Sequence, residues 1–319
     1  MTETKKHCVL FVDDEPRVTL ALKAIFRRDY KVLTANSGVD ALQILRKNKV
    51  DVVVSDQRMP NMLGNELLAK ISRHYPQTMR ILLTGFMDKQ AIVDSINDGE
   101  IFRFINKPWD NQEMRDLVAE AAKASQIPAL HSVTDQDNSG NKSSHSPNAE
   151  TSNQEVTFKL SDMALLMMEK KQDVRHQIRK FCSDKEIMIY GTQNVNQAIA
   201  AATSREAIGV AIIELTEDTR TSVQTINLLK QARPELITIA LTEEYDAETA
   251  VDLINQGQIF KYLAKPLETS AFQKAIQNAF KRHVYLKQNK KAIQRFQVEK
   301  PSEKIVDSLQ SFFGRFLST

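Results

Sequence analysis

The chain has 319 residues, of which 42% are hydrophobic and 26% charged, and it carries a formal net charge of +3. That length is enough for two domains of ordinary size, and the composition is globular rather than disordered or fibrous. A positive excess this small does not by itself imply nucleic acid, and no apolar run approaches membrane-spanning length. Met-Thr-Glu-Thr-Lys-Lys leads straight into a strand without the apolar core of a signal peptide, so a cytoplasmic protein is expected.

In chain order, short apolar runs predict strands at about 8–12, 30–34, 50–55, 79–83 and 102–106. Val18, Ala21, Leu22, Ile25 and Phe26, then Ala41, Leu42, Ile44 and Leu45, recur at helical spacing between them, and a last helix is expected over about 110–123. Strands alternating with helices of this length imply an α/β fold with a parallel sheet and right-handed crossovers. The organising stretch is Val50 to Pro60. Four apolar or β-branched residues, too few for a helix, lead into Asp56, and Pro60 cannot continue a ladder. Asp56 therefore falls at the carboxyl end of a central strand, where open α/β sheets bind their ligands. Asp13-Asp14, Thr84 and Lys107-Pro108 also follow short apolar runs, so four strand ends deliver three carboxylates, a hydroxyl and an ammonium.

These residues, in this order, resemble the response-regulator receiver domain of two-component signalling, over roughly residues 6 to 123. The resemblance implies a flavodoxin-like (βα)5 fold with strand order 2-1-3-4-5. It also implies phosphorylation of Asp56 by a histidine kinase or phosphotransfer protein. In such a domain Asp13, Asp14, Asp56 and the backbone carbonyl of Arg58 would hold Mg²⁺, with Lys107 balancing the phosphoryl charge. Thr84 and Phe104 would form the switch, reshaping the surface made by the fourth helix, fifth strand and fifth helix. Such a domain is a self-limiting phosphorylatable switch and not a metabolic enzyme.

From Ser132 to Gln154 Ser, Asn, Asp, Gln, Pro and Gly dominate, so 125–155 is expected to be a flexible linker, with His131 and His145 solvated. Beyond it the first pattern repeats at a constant offset of 158. Residues 98–109 are echoed by 256–267, Ile81-Leu82-Leu83-Thr84 by Ile239-Ala240-Leu241-Thr242, and Val52 to Asp56 by Val210 to Glu214. The second half thus resembles a receiver whose site has changed. Glu214 replaces the acceptor, Glu169-Lys170 fall near the place of the acidic pair, and Thr242 and Lys265 are kept. Two readings stand: Glu214 pairs with Lys265 or Lys170 and fixes one state, or the site has decayed and the domain serves as a packing partner. The expected organisation is a receiver at 1–124, the linker, a pseudo-receiver at 156–283, and a basic helical extension with an amphipathic terminal helix at 284–319.

Cys8 and Cys182 lie far apart in apolar elements, which points to reduced core thiols. In the tail, Lys281, Arg282, Lys287, Lys290, Lys291, Arg295 and Lys300 are read first as a solvated helix face. A dimerising seam through Phe272, Ile276, Ala279, Leu286 and Ile293 is second, which leaves a homodimer open, and nucleic acid or an anionic membrane is third. Ile305, Leu309, Phe312, Phe313 and Phe316 form an apolar stripe that either docks on its own domain or receives a partner. The output expected is protein–protein interaction with an unidentified downstream partner; the alternative is a transcriptional regulator using the basic tail on DNA. Residues 102–109 are also similar to receivers joined to HD-GYP phosphodiesterases, but no His-Asp pair or Gly-Tyr-Pro run occurs in the chain.

Overall fold

A computed structural model describes residues 6–85, 89–129, 158–216, 218–257 and 259–296. The first half contains β1 Cys8–Val12, α1 Pro16–Phe26, β2 Lys31–Ala35, α2 Gly38–Lys47, β3 Val52–Asp56, α3 Gly64–His74, β4 Met79–Thr84, α4 Lys89–Gly99, β5 Arg103–Asn106 and α5 Asn111–Ala124. All pairings in its sheet are parallel, in the order β2-β1-β3-β4-β5. Strands β1, β3 and β4 are buried along their whole length, because helices cover both faces and no polar alternation is needed. Local capping fixes two helix starts: Ser37 accepts from Asp40 N, and Asp110 accepts from Gln112 N and Glu113 N.

The second half contains β6 Ala164–Met168, α6 Gln172–Asp184, β7 Met188–Gly191, α7 Val195–Ser204, β8 Ile208–Glu214, α8 Thr219–Ala232 and β9 Ile237–Thr242. Then come α9 Ala247–Asp252, a π turn Leu253–Gly257, β10 Lys261–Ala264, α10 Thr269–Gln288 and α11 Lys290–Ile293. Its parallel sheet runs β10-β9-β8-β6-β7, the same winding as the first. The fold class and strand order expected from the sequence are therefore present twice.

The two halves pack through matching edges. Ile92, Val93 and Ile96 of α4 and Phe104 of β5 belong to one buried apolar cluster with Ala250, Val251, Ile254 and Tyr262. Both edge strands are β-ladder ends with unpaired backbone groups, and asparagines from opposite halves satisfy them. Asn97 Nδ2 donates to Tyr262 O at 2.9 Å and Tyr262 N donates to Asn97 Oδ1 at 3.0 Å. Asn255 Nδ2 donates to Phe104 O at 3.0 Å and Phe104 N donates to Asn255 Oδ1 at 2.9 Å. Both pairs obey the same 158-residue offset.

The tail departs from two expectations. Arg282 and Arg295 do not lie on a solvated face: Arg295 is 2% exposed and donates to Ile127 O at 2.8 Å and Pro76 O at 2.6 Å, and Arg282 pairs with Glu100 at 3.6 Å. The seam residues Phe272, Ile276, Ala279 and Leu286 are buried in the second half's own core, so they are not free to pair with another copy. Helix α10 runs through position 283 without a break, and His283, Val284 and Leu286 are all buried. At the start of the expected linker, residues 125–129 are held down by Gln77, whose Nε2 donates to Ile127 O at 2.7 Å and whose Oε1 accepts from Ala129 N at 3.0 Å. His131, His145 and the 302–317 stripe lie outside the described residues. Both cysteines are free and buried.

Candidate functional site

The carboxyl ends of β1, β3 and β4 and the loop after β5 meet on one edge of the first sheet. Asp56 is 6% exposed and Asp13 1% exposed. Lys107 Nζ lies 2.5 Å from Asp56 Oδ1 and 3.1 Å from Asp13 Oδ2, so one ammonium bridges two strand ends. Asp56 Oδ2 accepts from Arg58 N at 2.8 Å, and Asp13 Oδ1 accepts from Glu15 N at 2.9 Å. Burial lowers the Lys107 pKa, but hydrogen bonds and charge from Asp56 and Asp13 outweigh it, leaving the group above its ordinary value. Thr84 is buried at the end of β4, and its Oγ1 donates to Gly85 O at 3.1 Å. Phe104 is buried in β5.

The loop after Asp56 is fixed by residues that periodicity does not single out. Gln57 Nε2 donates to Asn65 Oδ1 at 3.2 Å and Asn65 N donates to Gln57 Oε1 at 3.1 Å, a reciprocal clasp. A Cβ on Gly64 would lie 2.1 Å from Asp56 O, so only glycine permits this close approach of α3 to the Asp56 backbone.

Asp14 is exposed at the rim, and among the described residues no three His, Cys, Asp or Glu side chains converge closely enough to enclose a cation by themselves. The converging donors are still hard oxygens. Mg²⁺ is commonly held by one or two carboxylates and keeps several waters, so Asp13 and Asp56 gathered around a single ammonium fit that cation.

The second half uses the same strand ends differently. Glu169 immediately follows β6 as Asp13 follows β1, and its Oε1 accepts from Lys171 N at 2.8 Å, as Asp13 accepts from Glu15 N. Lys265 Nζ lies 2.9 Å from Glu169, 2.7 Å from Glu214 and 2.9 Å from Glu243, with its side chain only 3% exposed against 31% for Lys107. Burial pushes both glutamates up. For Glu169 burial prevails, whereas hydrogen bonds from Lys265 and from Lys170 N bring Glu214 below its usual range. Burial lowers Lys265, but its three carboxylate partners raise it further than burial depresses it. Lys170 does not send its side chain inward: it is exposed, and only its backbone N–H reaches Glu214 Oε2, at 3.0 Å. Lys171 supplies the second cation, pairing with Glu243 at 2.8 Å. Sequence reasoning missed Glu243, although its place directly after Thr242 at a strand end was the available signal. Thr242 Oγ1 donates to Glu244 O at 2.5 Å.

A family model described as the response regulator receiver domain matches residues 9–119. Over 111 residues the chain is 31% identical to sporulation initiation phosphotransferase F of Bacillus subtilis, a match covering 34% of this chain and 89% of that protein. The chain belongs to the response regulator receiver family. Its receiver region is also 35% identical over 120 residues to the hydrogenase transcriptional regulatory protein HoxA of Cupriavidus necator, covering 38% of this chain and 25% of HoxA. The chain thus spans about a quarter of that longer relative. Among solved structures, the signal receiver domain of an HD domain-containing protein from Pseudomonas fluorescens Pf-5 is 37% identical, with a TM-score of 0.38, covering 40% of this chain and 93% of that one. A receiver domain is not in itself a catalytic enzyme domain. No helix among the described residues is long and apolar enough to cross a membrane.

Proposed function

We propose that the protein is a response regulator in which the first half accepts a phosphoryl group on Asp56 and the second half is a pseudo-receiver that does not. The observation that carries this reading is the single ammonium of Lys107 held between two buried carboxylates at the mouth of the first sheet. A carboxylate oxygen of Asp56 forms the new bond to phosphorus as the bond to the donor's phosphohistidine nitrogen or acyl oxygen breaks. The transition state spreads charge over the phosphoryl oxygens, so catalysis is mostly positioning and neutralisation. Lys107, already within reach of Asp56, turns to the phosphoryl group, and the N–H of Arg58 keeps the acceptor oriented. Mg²⁺, held by Asp13, Asp14, Asp56 and the carbonyl of Arg58, would supply further neutralisation. Thr84 and Phe104 would carry the change to the surface.

Sensor histidine kinases or phosphotransfer proteins are the expected donors, in the cytoplasm, and output runs through protein contacts. The DNA-binding alternative loses support because Arg282 and Arg295, two cations of the basic stretch, are engaged between the halves. In the second half Glu214 is committed to Lys265, and its extra methylene displaces the oxygen that would attack; a displacement of about 1 Å costs on the order of a hundredfold in rate. The test is incubation with acetyl phosphate and Mg²⁺ followed by mass spectrometry. Label is expected on Asp56 and lost in Asp56→Asn; label on Glu214, or none on Asp56, overturns the reading.

A further inference from the structure

The second site holds more negative charge than its cations cover. The Lys265 side chain, 3% exposed, stands between Glu169 at 0% and Glu214 at 12%, so one buried ammonium faces two buried carboxylates. Farther out, Glu243 and Lys171 are each about half exposed and offset one another at 2.8 Å. Lys170 and Asp173 are exposed outside this set. The charged groups facing Glu169 thus come from its own loop, from β8, from the residue after β9 and from the loop after β10, and they leave one negative charge in excess. The hydrogens fall short as well, since an ammonium has three to give. Four carboxylate oxygens lie within 3.0 Å of Lys265 Nζ: Glu169 Oε1 at 3.0 Å, Glu169 Oε2 at 2.9 Å, Glu214 Oε1 at 2.7 Å and Glu243 Oε1 at 2.9 Å. The one that goes without is Glu169 Oε2, which is buried and has no hydrogen-bond partner among the described residues. Such an oxygen is costly to bury as a carboxylate, whereas as a hydroxyl it becomes a donor.

We propose that Glu169 and Glu214 hold one proton between them, carried on Glu169 Oε2, so that the second site binds a proton where the first would take a metal cation. Glu169 Oε1 keeps its bonds from Lys171 N and Lys265. Its Oε2–H donates to Glu214, whose two oxygens also accept from Lys265 and Lys170 N. Burial raises the Glu169 pKa beyond what Lys265 and Lys171 N take back, and the charge of Glu214 adds to the rise. Burial raises Glu214 too, but Lys265, Lys170 N and a hydrogen bond from Glu169 bring it down overall. One acid is neutral and the other ionised, as two carboxyl groups sharing a site require. None of this depends on Asp56 accepting phosphate. The folded protein thus keeps a proton that the unfolded chain releases above about pH 4.3. The stability drawn from the pair is full below that pH and is lost as pH rises through the folded-state value of Glu169. Above it, two carboxylates compete for one buried ammonium at the ends of the paired strands β6 and β8. With the proton bound, the excess charge that would attract Mg²⁺ is gone.

The experiment is a carbon-13 NMR titration of the full chain carrying glutamate labelled at Cδ. One signal is expected to titrate above the ordinary glutamate value, to vanish in Glu169→Gln, and to move down in Glu214→Gln, where the charge opposing ionisation is removed. Added Mg²⁺ should leave its midpoint unchanged. Glutamine at 169 copies the neutral acid, with one acceptor for Lys171 N and Lys265 and one donor for Glu214, but has no proton to lose. Its folding equilibrium relative to wild type should therefore improve by up to about tenfold per pH unit between about pH 4.3 and that midpoint. Every glutamate titrating at or below the ordinary value, a raised signal that survives in Glu169→Gln, or a midpoint lowered by Mg²⁺ overturns the shared proton. Should Glu169→Gln fail to fold, the Glu214→Gln titration carries the assignment, and an unmoved signal there overturns it.

Discussion

The two strand-end sites of this molecule share a backbone plan and differ in what fills it. In the first, one partly exposed lysine reaches two buried aspartates, with Asp14 exposed beside them. In the second, a nearly fully buried lysine is enclosed by Glu169, Glu214 and Glu243, and Lys171 closes the outer side. The longer glutamates span the gap that shorter aspartates leave open. The same fold thus holds one ammonium with two carboxylate partners and another, more deeply buried, with three.

The largest expected effect tests whether the second ammonium is structural. Lys265→Met strands Glu169 and Glu214 in a buried place, and a broken buried charge network typically costs about 3–5 kcal/mol; denaturant unfolding should show that loss. Lys107→Met also strands two buried carboxylates, but with the Lys107 side chain 31% exposed water can partly take its place, so the loss should be smaller than for Lys265→Met while phosphate-dependent change is abolished. Equal costs would erase the distinction between the sites.

Next comes the loop behind the acceptor. Gly64→Ala forces a Cβ onto Asp56 O and should slow labelling of Asp56 by about a hundredfold, as expected for a misplacement near 1 Å. The corresponding position in the second half is Ser222, whose Oγ accepts from Thr216 N at 3.2 Å. Ser222→Gly should therefore leave Asp56 labelling unchanged, and a loss there would show that the halves are coupled through their loops.

The smallest effect is one of pH. His283 stands 158 positions after Ser125, fully buried against Gly209, and its Nδ1–H donates to the carbonyl of Glu235 at 2.9 Å. Burial holds its pKa below the ordinary value, only partly offset by Glu235. The folded protein therefore binds fewer protons than the unfolded chain near pH 6.5. The stability is present above that pH, declines as pH falls through it by up to about 1.4 kcal/mol per unit, and levels off below the folded-state pKa. Urea unfolding at pH 7.5 and 5.5 should show the decline, and His283→Asn, which keeps a donor for Glu235, should flatten it. An unchanged slope in that variant would remove His283 as its source.

Much of this was legible along the chain. The period of strands and helices, the constant 158-residue offset and the strand-end positions of Asp13, Asp56, Thr84 and Lys107 are local signals, set by hydrophobic pattern and by where a ladder must stop. The tail was harder. Phe272, Ile276 and Leu286 show the spacing of a coiled-coil seam and of a core-facing helix alike, because both bury one stripe, and only the presence of the second sheet decides between them. Arg282 and Arg295 carry no mark of burial in sequence; their partners, Glu100 and the carbonyls of Pro76 and Ile127, lie between 168 and 219 positions away.

Sequence alone determined that the fold occurs twice, and that one copy has Asp56 at the end of its central strand while the other has Glu214 in its place. Tertiary structure decided what each of these residues meets. It set Asn97 and Asn255 on opposite edge strands, brought Glu243 to Lys265, and closed the two halves over one apolar cluster. The physical reason is that an asparagine or a glutamate acquires its meaning from the unpaired backbone group or buried charge it meets, and that meeting depends on how two sheets pack, which no local periodicity encodes.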